Sequence, residues 1–408
     1  MKNIKDLFEL NPCVNQKGVQ YKNNLVKRQI VAYMAVKGEC AIATLAKHIN
    51  ISIPSITKLV LELVADGIVS DNGKISTEGG RRPNIYGLSS SSMFFIGVYV
   101  GFDGMSMVVT DLHSRVVASQ VVADFVIENT QESFDKFFNI LTDFIEHSGV
   151  VVNRVIGMGV SMAGRVNPAL GINYAFYTFL EDSLAKTIED RTGIKTLIEN
   201  DVRAKCYAEY FSSETRPNNA IFLELGMGVA VGIIVNGELC YGKSGFAGEF
   251  GHIPFSDNDI LCYCGKKGCL ETEISGKAIE RNMNHKLEQG LSSQLTEKYK
   301  AKGRVNISDI VDAALEDDHL AIETFIEVSE KVGRSLGYLL NVFNPETVVI
   351  GGSVARVGEH ILLPIKSAVN KYSLKLVAGD TEFRISDDDV EKSALGAAML
   401  IRKHILGL

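Results

Sequence analysis

One order of elements is written twice in this chain. From residue 93, the strand-like runs MFFIGVYVG, MSMVVTDL and VVASQVVADF precede a helical stretch at about 130–148; VIGMGVS, a helix near 181–192, TLIE and a helix from about 201 follow. At residue 220 the order restarts with AIFLEL, GVAVGIIV and ELCYG, then long helices, TVVIGGS, another helix and EFRIS. Strands alternating with helices in this way specify an α/β fold. The duplication predicts two α/β lobes facing a cleft, a natural place for a ligand. Gly226 and Gly228, and the pair Gly351-Gly352, follow strands; such glycines either make tight turns or let backbone N–H groups approach a phosphate.

The 408 residues allow two or three domains of roughly 100–200 residues each. Hydrophobic residues at 46% and charged residues at 22% exclude a disordered or collagen-like chain. The opening MKNIKDLFEL lacks the apolar run of a signal peptide, and no stretch approaches the roughly 18 apolar residues of a membrane helix. The expected location is the cytoplasm, with no membrane partner. There Cys13, Cys40, Cys206 and Cys240 read as reduced thiols.

The net charge of -7 is unevenly spread, since residues 1–90 carry 12 Lys and Arg against 7 Asp and Glu. A basic segment on an acidic body points to a nucleic-acid module joined to a sensor or enzyme. Three short helical patterns fall in it: Val26, Ile30, Tyr33 and Met34; Ile42, Leu45, Ala46 and Ile49; and Ile53, Ile56, Leu59, Val60 and Leu63. The third has Ser52 as a candidate N-cap and Pro54 in its first turn. Its opposite face offers Ser55, Thr57 and Lys58 to base edges and phosphates. Next, IVSDNGKISTEGGRRPNIYGL reads as a wing of short strands with Asn72-Gly73 as a hairpin turn. Arg81 and Arg82 would meet phosphates or a minor groove. The expected division is a winged helix-turn-helix at 1–88, a serine linker at 89–92 and the α/β body at 93–408. A small helical cap with two solvated arginines is the alternative.

Three of the seven cysteines crowd into GHIPFSDNDILCYCGKKGCLETE. His252, Cys262, Cys264 and Cys269 supply three thiolates and an imidazole, the donor set of a closed tetrahedral structural zinc site. Gly265 and Gly268 supply turns. With four protein ligands the ion would shape the site rather than catalyse. In IENDVRAK, Asn200 and Asp201 stand where a strand opens a helix, either as a helix cap or as a hydrogen-bonding pair at the cleft.

GFAGEFGH followed by CYCGKKGCLE resembles the signature of the ROK family of repressors, open reading frames and sugar kinases, and ENDVRA, GRVNP, VNGEL and NPETVVIGGSVA extend the resemblance over about residues 93–408. The N-terminal segment ending in GGRRPNIYGL is similar to the repressor branch that includes the xylose and N-acetylglucosamine repressors. The resemblance implies an actin-like, ribonuclease-H-like two-lobed domain, usually a homodimer or homotetramer. It also implies sugar binding by Gly164, Arg165, Asn200, Asp201, Glu249, His252 and Glu271. Zinc would hold His252 while its other ring nitrogen meets a sugar hydroxyl.

The phosphate motifs of the family's kinases are degenerate here. Tyr99 stands where their first motif has an aspartate, Phe102 follows Gly101, and their Gly-Thr-Gly reads Gly226-Met227-Gly228. Asp201 matches the kinase general base but also suits a sugar hydroxyl. The expectation is a non-catalytic regulator, with no catalytic residues, that binds a double-stranded operator and responds to a monosaccharide or sugar phosphate. An ATP-dependent sugar kinase with an attached DNA-binding domain is the alternative, and a repressor controlled by a protein partner a third.

Overall fold

The computed structural model describes residues 7–8, 18–74, 83–387 and 390–408. They divide into two units, Met1–Ala204 with Glu391–Leu408, and Lys205–Val390. Among the described residues, no single helix is long and apolar enough to cross a membrane.

Unit 1 begins with α1 (Val19–Lys37), which buries Ile30, Val31 and Met34. After the short β1 (Cys40–Ala41) come α2 (Ile42–Ile49), burying Leu45 and Ala46, and α3 (Ile53–Ala65), burying Ile56, Leu59, Val60 and Leu63. The chain axis turns by 115° between α2 and α3, within the range of a helix-turn-helix pair. Asn50 makes that turn in the left-handed region at φ 59°, a conformation its short polar side chain tolerates. β2 (Val69–Lys74) and β3 (Asn84–Leu88) complete a three-stranded antiparallel wing in the order β1-β3-β2.

Three sequence expectations change here. Ile53 lies off the apolar stripe and is 55% exposed, because as the helix's first residue it precedes the turn that meets the core. Ser52 occupies the N-cap position without a capping bond, its hydroxyl pairing instead with that of Ser55 at 2.9 Å. Asn72-Gly73 is no hairpin turn: the register passes from Asp71↔Tyr86 to Lys74↔Asn84, so one extra residue bulges from β2, with Gly73 at φ 85°. Arg81 and Arg82 lie outside the described residues. The serine segment is held in place, since Ser89 N–H donates to Ile68 C=O at 3.0 Å and Ser92 to Ser89 C=O at 3.1 Å.

The sheet of unit 1 contains β4 (Phe94–Gly101), β5 (Gly104–Asp111), β6 (Val116–Val122), β7 (Val155–Met162) and β10 (Lys195–Asn200) in the order β10-β7-β4-β5-β6. Helix α4 (Gln131–His147) follows β6, the hairpin of β8 (Val166–Asn167) and β9 (Ile172–Asn173) follows β7, and α5 (Leu184–Thr192) leads into β10. Phe134, Phe137 and Leu141 of α4 and Ile188 of α5 pack on Ile96, Val98, Met158 and Val160. α6 (Asp201–Ser212) follows β10 directly.

Unit 2 repeats the pattern. Its sheet, of β11 (Ala220–Leu225), β12 (Val229–Val235), β13 (Glu238–Leu239), β14 (Thr347–Gly351) and β15 (Glu382–Ile385), has the order β13-β12-β11-β14-β15. In both units a three-strand antiparallel meander is extended by two parallel strands. Unit 2 also contains α7 (Glu271–Ile274), α8 (Gly276–Glu288), α9 (Thr296–Lys302), α10 (Ile307–Leu315), α11 (His319–Phe343), α12 (Glu359–Tyr372) and α13 (Lys375–Asp380). Its core runs through Leu223, Val231, Ile279, Phe325, Leu336 and Ile365.

The last helix, α14 (Lys392–Leu406), belongs to unit 1 and lies backbone-close on its sheet. A Cβ on Gly97 would fall 1.9 Å from Ala394 C=O and one on Gly159 2.0 Å from Ala397 C=O, while a Cβ on Gly396 of the helix would fall 1.9 Å from Ala204 C=O. Farther along, Ile401, Ile405 and Leu406 share one core with Met93, Phe95 and Ile156 and with Ile30, Met34, Leu45 and Leu63 of the N-terminal helices. The winged segment is thus packed into unit 1.

Gly159→Val is expected to destabilise the protein by more than the ~1–3 kcal/mol of ordinary overpacking, because the obstructing atoms are backbone. Gly379→Ala, whose Cβ meets nothing within 4 Å, should change stability by no more than ~0.5 kcal/mol. Urea unfolding followed by circular dichroism separates the two; equal midpoints would refute the close seat of α14.

Candidate functional site

In unit 1 the polar residues gather where β7 and β10 end. Asn200 Nδ2 donates to Gly164 C=O at 3.1 Å and to Asp201 Oδ1 at 2.8 Å. Its Oδ1 accepts from the Val202 and Arg203 amides, both at 3.1 Å. Asn200 therefore caps α6, as one of the two sequence readings expected, and also binds the Gly164 turn to Asp201. Gly164 sits at φ 93°, where a side chain would be strained. Arg165 extends into solvent.

Sequence reasoning missed what fixes this junction. Glu199 and Arg203, with side chains 0% and 3% exposed, form an ion pair at 2.7 Å, and Glu199 Oε1 also accepts the Asn200 amide at 2.7 Å. Their i,i+4 spacing was visible, but β10 ends between them, so no single helical face announced the pair. Removing one member of such a pair leaves a buried uncompensated charge, at a cost of ~3–5 kcal/mol.

In unit 2, Glu249 precedes a 3-10 turn, Phe250–His252, that lies against β12. A Cβ on Gly248 would be 2.0 Å from Val231 C=O and one on Gly251 2.3 Å from Val229 C=O, so only glycine allows this approach. The cysteine loop pairs back on the same segment: Phe255 N–H donates to Gly268 C=O at 2.8 Å and Leu270 N–H to Ile253 C=O at 3.0 Å. A tight turn closes it, with Cys262 N–H to Lys266 C=O at 2.8 Å.

This folding brings one ligand atom from each of His252, Cys262, Cys264 and Cys269 within 4.8 Å of all the others. His252 Nδ1 is 3.6 Å from Cys262 Sγ, and Cys264 Sγ is 3.6 Å from Cys269 Sγ. A tetrahedral ion with metal–sulfur bonds of ~2.3 Å and a metal–nitrogen bond of ~2.0–2.1 Å sets edges of roughly 3.6–3.8 Å. The four residues therefore fit a metal ion. Burial pushes the Cys269 thiol up to about 12, so binding an ion there displaces a proton.

His252 Nε2 faces the other way, 3.0 Å from the Tyr263 hydroxyl and 3.8 Å from Glu249 Oε2. Tyr263, 71% exposed, was passed over although it stands between two of the cysteines. Glu271 is buried and accepts the Val229 amide at 3.1 Å. Burial holds its carboxyl above the usual carboxylate range.

Two of the glycine turns singled out in the sequence, at Gly101 and at Gly226-Met227-Gly228, carry acidic neighbours. At the β4–β5 turn the Tyr99 hydroxyl donates to Asp103 Oδ1 at 2.5 Å, and a Cβ on Gly101 would lie 1.8 Å from that hydroxyl. Phe102, 72% exposed, meets Phe176 edge-on at 5.7 Å. At Gly226-Met227-Gly228, Gly226 N–H donates to Gly228 C=O at 3.1 Å. Glu271 Oε2 would stand 3.1 Å from a Cβ on Gly228, and Glu224 Oε1 3.6 Å from one on Gly226. Glu224 is itself paired with Lys205 at 2.8 Å.

On α3, Ser55 and Lys58 are exposed and Thr57 half-buried, its hydroxyl donating to Ile53 C=O at 2.8 Å. Ile53, Pro54 and Leu61 join Thr57 and Lys58 around a shallow surface depression. Lys27 of α1 pairs with Glu62 at 2.9 Å and Asp66 at 3.9 Å, which compensates the acidic charge at the C-terminal end of α3.

A family model described as the ROK family matches residues 95–404. The chain is 28% identical over 366 residues to the DNA-binding transcriptional dual regulator NagC of Escherichia coli strain K12, covering 89% of this chain and 88% of that protein. It is similar in structure to a ROK family transcriptional regulator, a homolog of the E. coli MLC protein, with TM-score 0.79, 23% identity and coverage of 95% and 97%. It is also similar to a ROK family glucokinase from Streptomyces griseus in complex with glucose and AMPPNP, with TM-score 0.63, 26% identity and coverage of 75% and 98%.

Purified protein is expected to carry about one metal ion per chain, since the donors form one closed tetrahedral set, and Cys264→Ser should carry far less. Elemental analysis by mass spectrometry reads this directly; unchanged metal content in the variant would remove Cys264 from the ligand set.

Proposed function

The chain belongs to the ROK family, and from that premise we propose that it is a sugar-responsive, DNA-binding transcriptional regulator, a repressor released by a monosaccharide or sugar phosphate. The observation that carries this reading is the 115° helix-turn-helix pair built into the same core as the sheet of unit 1. The similarity to NagC over 89% of the chain supports it. Residues 1–88 act as the DNA-binding segment, 89–92 join it to the body, and 93–408 bind the effector. Ser55, Thr57 and Lys58 meet the major groove, and Arg81 and Arg82 of the wing meet the backbone or minor groove. A homodimer or homotetramer presents two such segments to the half-sites of an operator. Binding an operator puts the site of action in the cytoplasm.

Sugar hydroxyls donate to the carboxylates of Asp201, Glu249 and Glu271, Asn200 both donates and accepts, and Gly164, Arg165 and His252 complete the recognition. Zinc is the metal suited to the three thiolates and imidazole; His252 would hold it by Nδ1, leaving Nε2, which lies 3.0 Å from the Tyr263 hydroxyl, to turn to a sugar hydroxyl. With all four positions taken by protein, the ion supplies structure only. For a sugar to release DNA it must bind the low-affinity arrangement more tightly. A hundredfold release requires a difference of ~2.7 kcal/mol.

The second reading, a kinase with an attached DNA-binding segment, is favoured by the similarity to the glucokinase and by Asp201 as a candidate base. Against it stand Tyr99 and Asp103, which fill the first phosphate turn, and the carboxylate of Glu271 beside the second. Phosphoryl transfer needs stabilisation of phosphate charge, and carboxylates oppose it.

Fluorescence anisotropy on DNA from upstream of its own gene, with and without D-glucose, D-xylose, N-acetyl-D-glucosamine and N-acetyl-D-glucosamine 6-phosphate, tests the proposal. One of these should weaken binding at least tenfold, and Asp201→Ala should abolish that response while leaving DNA affinity intact. Lys58→Ala should weaken binding at every sequence and reduce the salt slope by about 1. Turnover of ATP with a sugar, lost in Asp201→Ala, would favour the kinase instead.

A further inference from the structure

We propose that α14 carries effector occupancy at Asn200–Asp201 to the DNA-binding segment, with Arg402 as the positioning residue that fastens its far end to α1. The inference rests on the regulator reading above and adds its route of control. At the near end Ser393, 1% exposed, donates from Oγ to the Asp201 carbonyl at 3.2 Å. It also lies 3.0 Å from Ser161 Oγ, which is itself 3.0 Å from Val98 C=O and 3.2 Å from Ser393 C=O, so the single Ser161 proton is shared among them. The helix therefore starts on the backbone of the residue proposed to hold the sugar.

Between its ends α14 has little freedom to shift. Gly97, Gly159 and Gly396 place backbone against backbone, so a rotation or slide of the helix collides with the sheet or with α6 rather than with a side chain that can swing away. Interfaces of this kind move as a body instead of deforming gradually. Ser393 and Arg402, nine residues apart, are separated by about 13 Å along the axis, so a tilt at one end is delivered to the other.

Arg402 receives it. Its guanidinium is buried, with the residue 4% exposed; Nε donates to Leu112 C=O at the end of β5 at 2.8 Å and Nη2 to Ala35 C=O at 3.4 Å. Ala35 lies in the last turn of α1, where carbonyls lack intrahelical donors and a cation is favoured. A buried guanidinium is costly unless hydrogen-bonded, so Arg402 keeps the end of α1 in register with β5. The bond to Ala35 is longer than the bond to Leu112, and it joins the DNA-binding segment to the body. An effector that moves the Asp201 backbone shifts Ser393, tilts α14 and weakens that longer bond, which releases α1 and the α2–α3 pair packed on it.

The full-length protein tests this in two ways. In the anisotropy assay with the four sugars above, Arg402→Gln is expected to bind DNA without sugar about as weakly as sugar-bound wild type, so that the release ratio falls toward 1, while sugar affinity by calorimetry stays within about threefold of wild type. A merely structural role would lower both affinities and leave the ratio. Arg402→Lys, retaining the charge and one donor, should restore part of the ratio and guards against a folding defect in the first variant. The second arm, hydrogen exchange by mass spectrometry, needs neither DNA nor sugar. Ser393→Ala should speed exchange in the last turn of α1 several-fold in the wild-type background and not in Arg402→Gln. A release ratio unchanged in Arg402→Gln, or an exchange response to Ser393→Ala that persists without Arg402, would overturn the proposal. Wild-type protein that ignores every sugar would instead count against the regulator reading, and the exchange arm would then decide this one.

Discussion

The seat of α14 on glycine is the constraint on which unit 1 depends. Gly97 and Gly159 sit on adjacent strands, β4 and β7, and bring the helix so near that any side chain there would overlap Ala394 or Ala397 backbone. Close packing of this sort gains many dispersion contacts at once and fixes where the helix ends. One end meets the β10–α6 junction through Ser393. The other meets the N-terminal helices through Ile401 and Ile405. Polar chemistry and helix-turn-helix are therefore held by one element that contributes to neither surface.

Unit 2 is organised by a different device. Its cysteine loop has little apolar content to bury, and its shape comes from backbone pairing to residues 253–256 and from turns at Gly265 and Gly268. An ion held by its four donors would add the constraint that a hydrophobic core would otherwise supply. Because His252 presents Nδ1 to the thiols and Nε2 outward, holding a metal there would also orient a polar group. The Glu249 and Tyr263 side chains gather on that outward nitrogen.

Much of the fold was legible, because periodicity reports directly on which face of an element is buried. The duplicated order of strands reappears as two sheets of matching topology, and the four metal-site residues are brought together because three of them are neighbours in sequence. Failures came where local pattern met a boundary. Ile53 continues an apolar stripe in sequence but precedes the first turn that reaches the core. Asn72-Gly73 has the composition of a hairpin turn, yet its extra residue is absorbed as a bulge within a strand. Glu199 and Arg203 straddle a strand end and a helix start, so neither periodicity marked them as partners.

By itself, then, the sequence determined the elements, their duplication, the metal donor set and the family, since each depends on residues close in the chain or on a regular spacing. Tertiary structure alone decided which of two adjacent cations, Arg402 or Lys403, is buried, what Tyr99 and Asp103 do with the first glycine turn, and that the N-terminal helices share a core with the last helix of the chain. Those outcomes rest on contacts between residues as far apart as Ala35 and Arg402, and no local spacing records which distant carbonyl a guanidinium will meet.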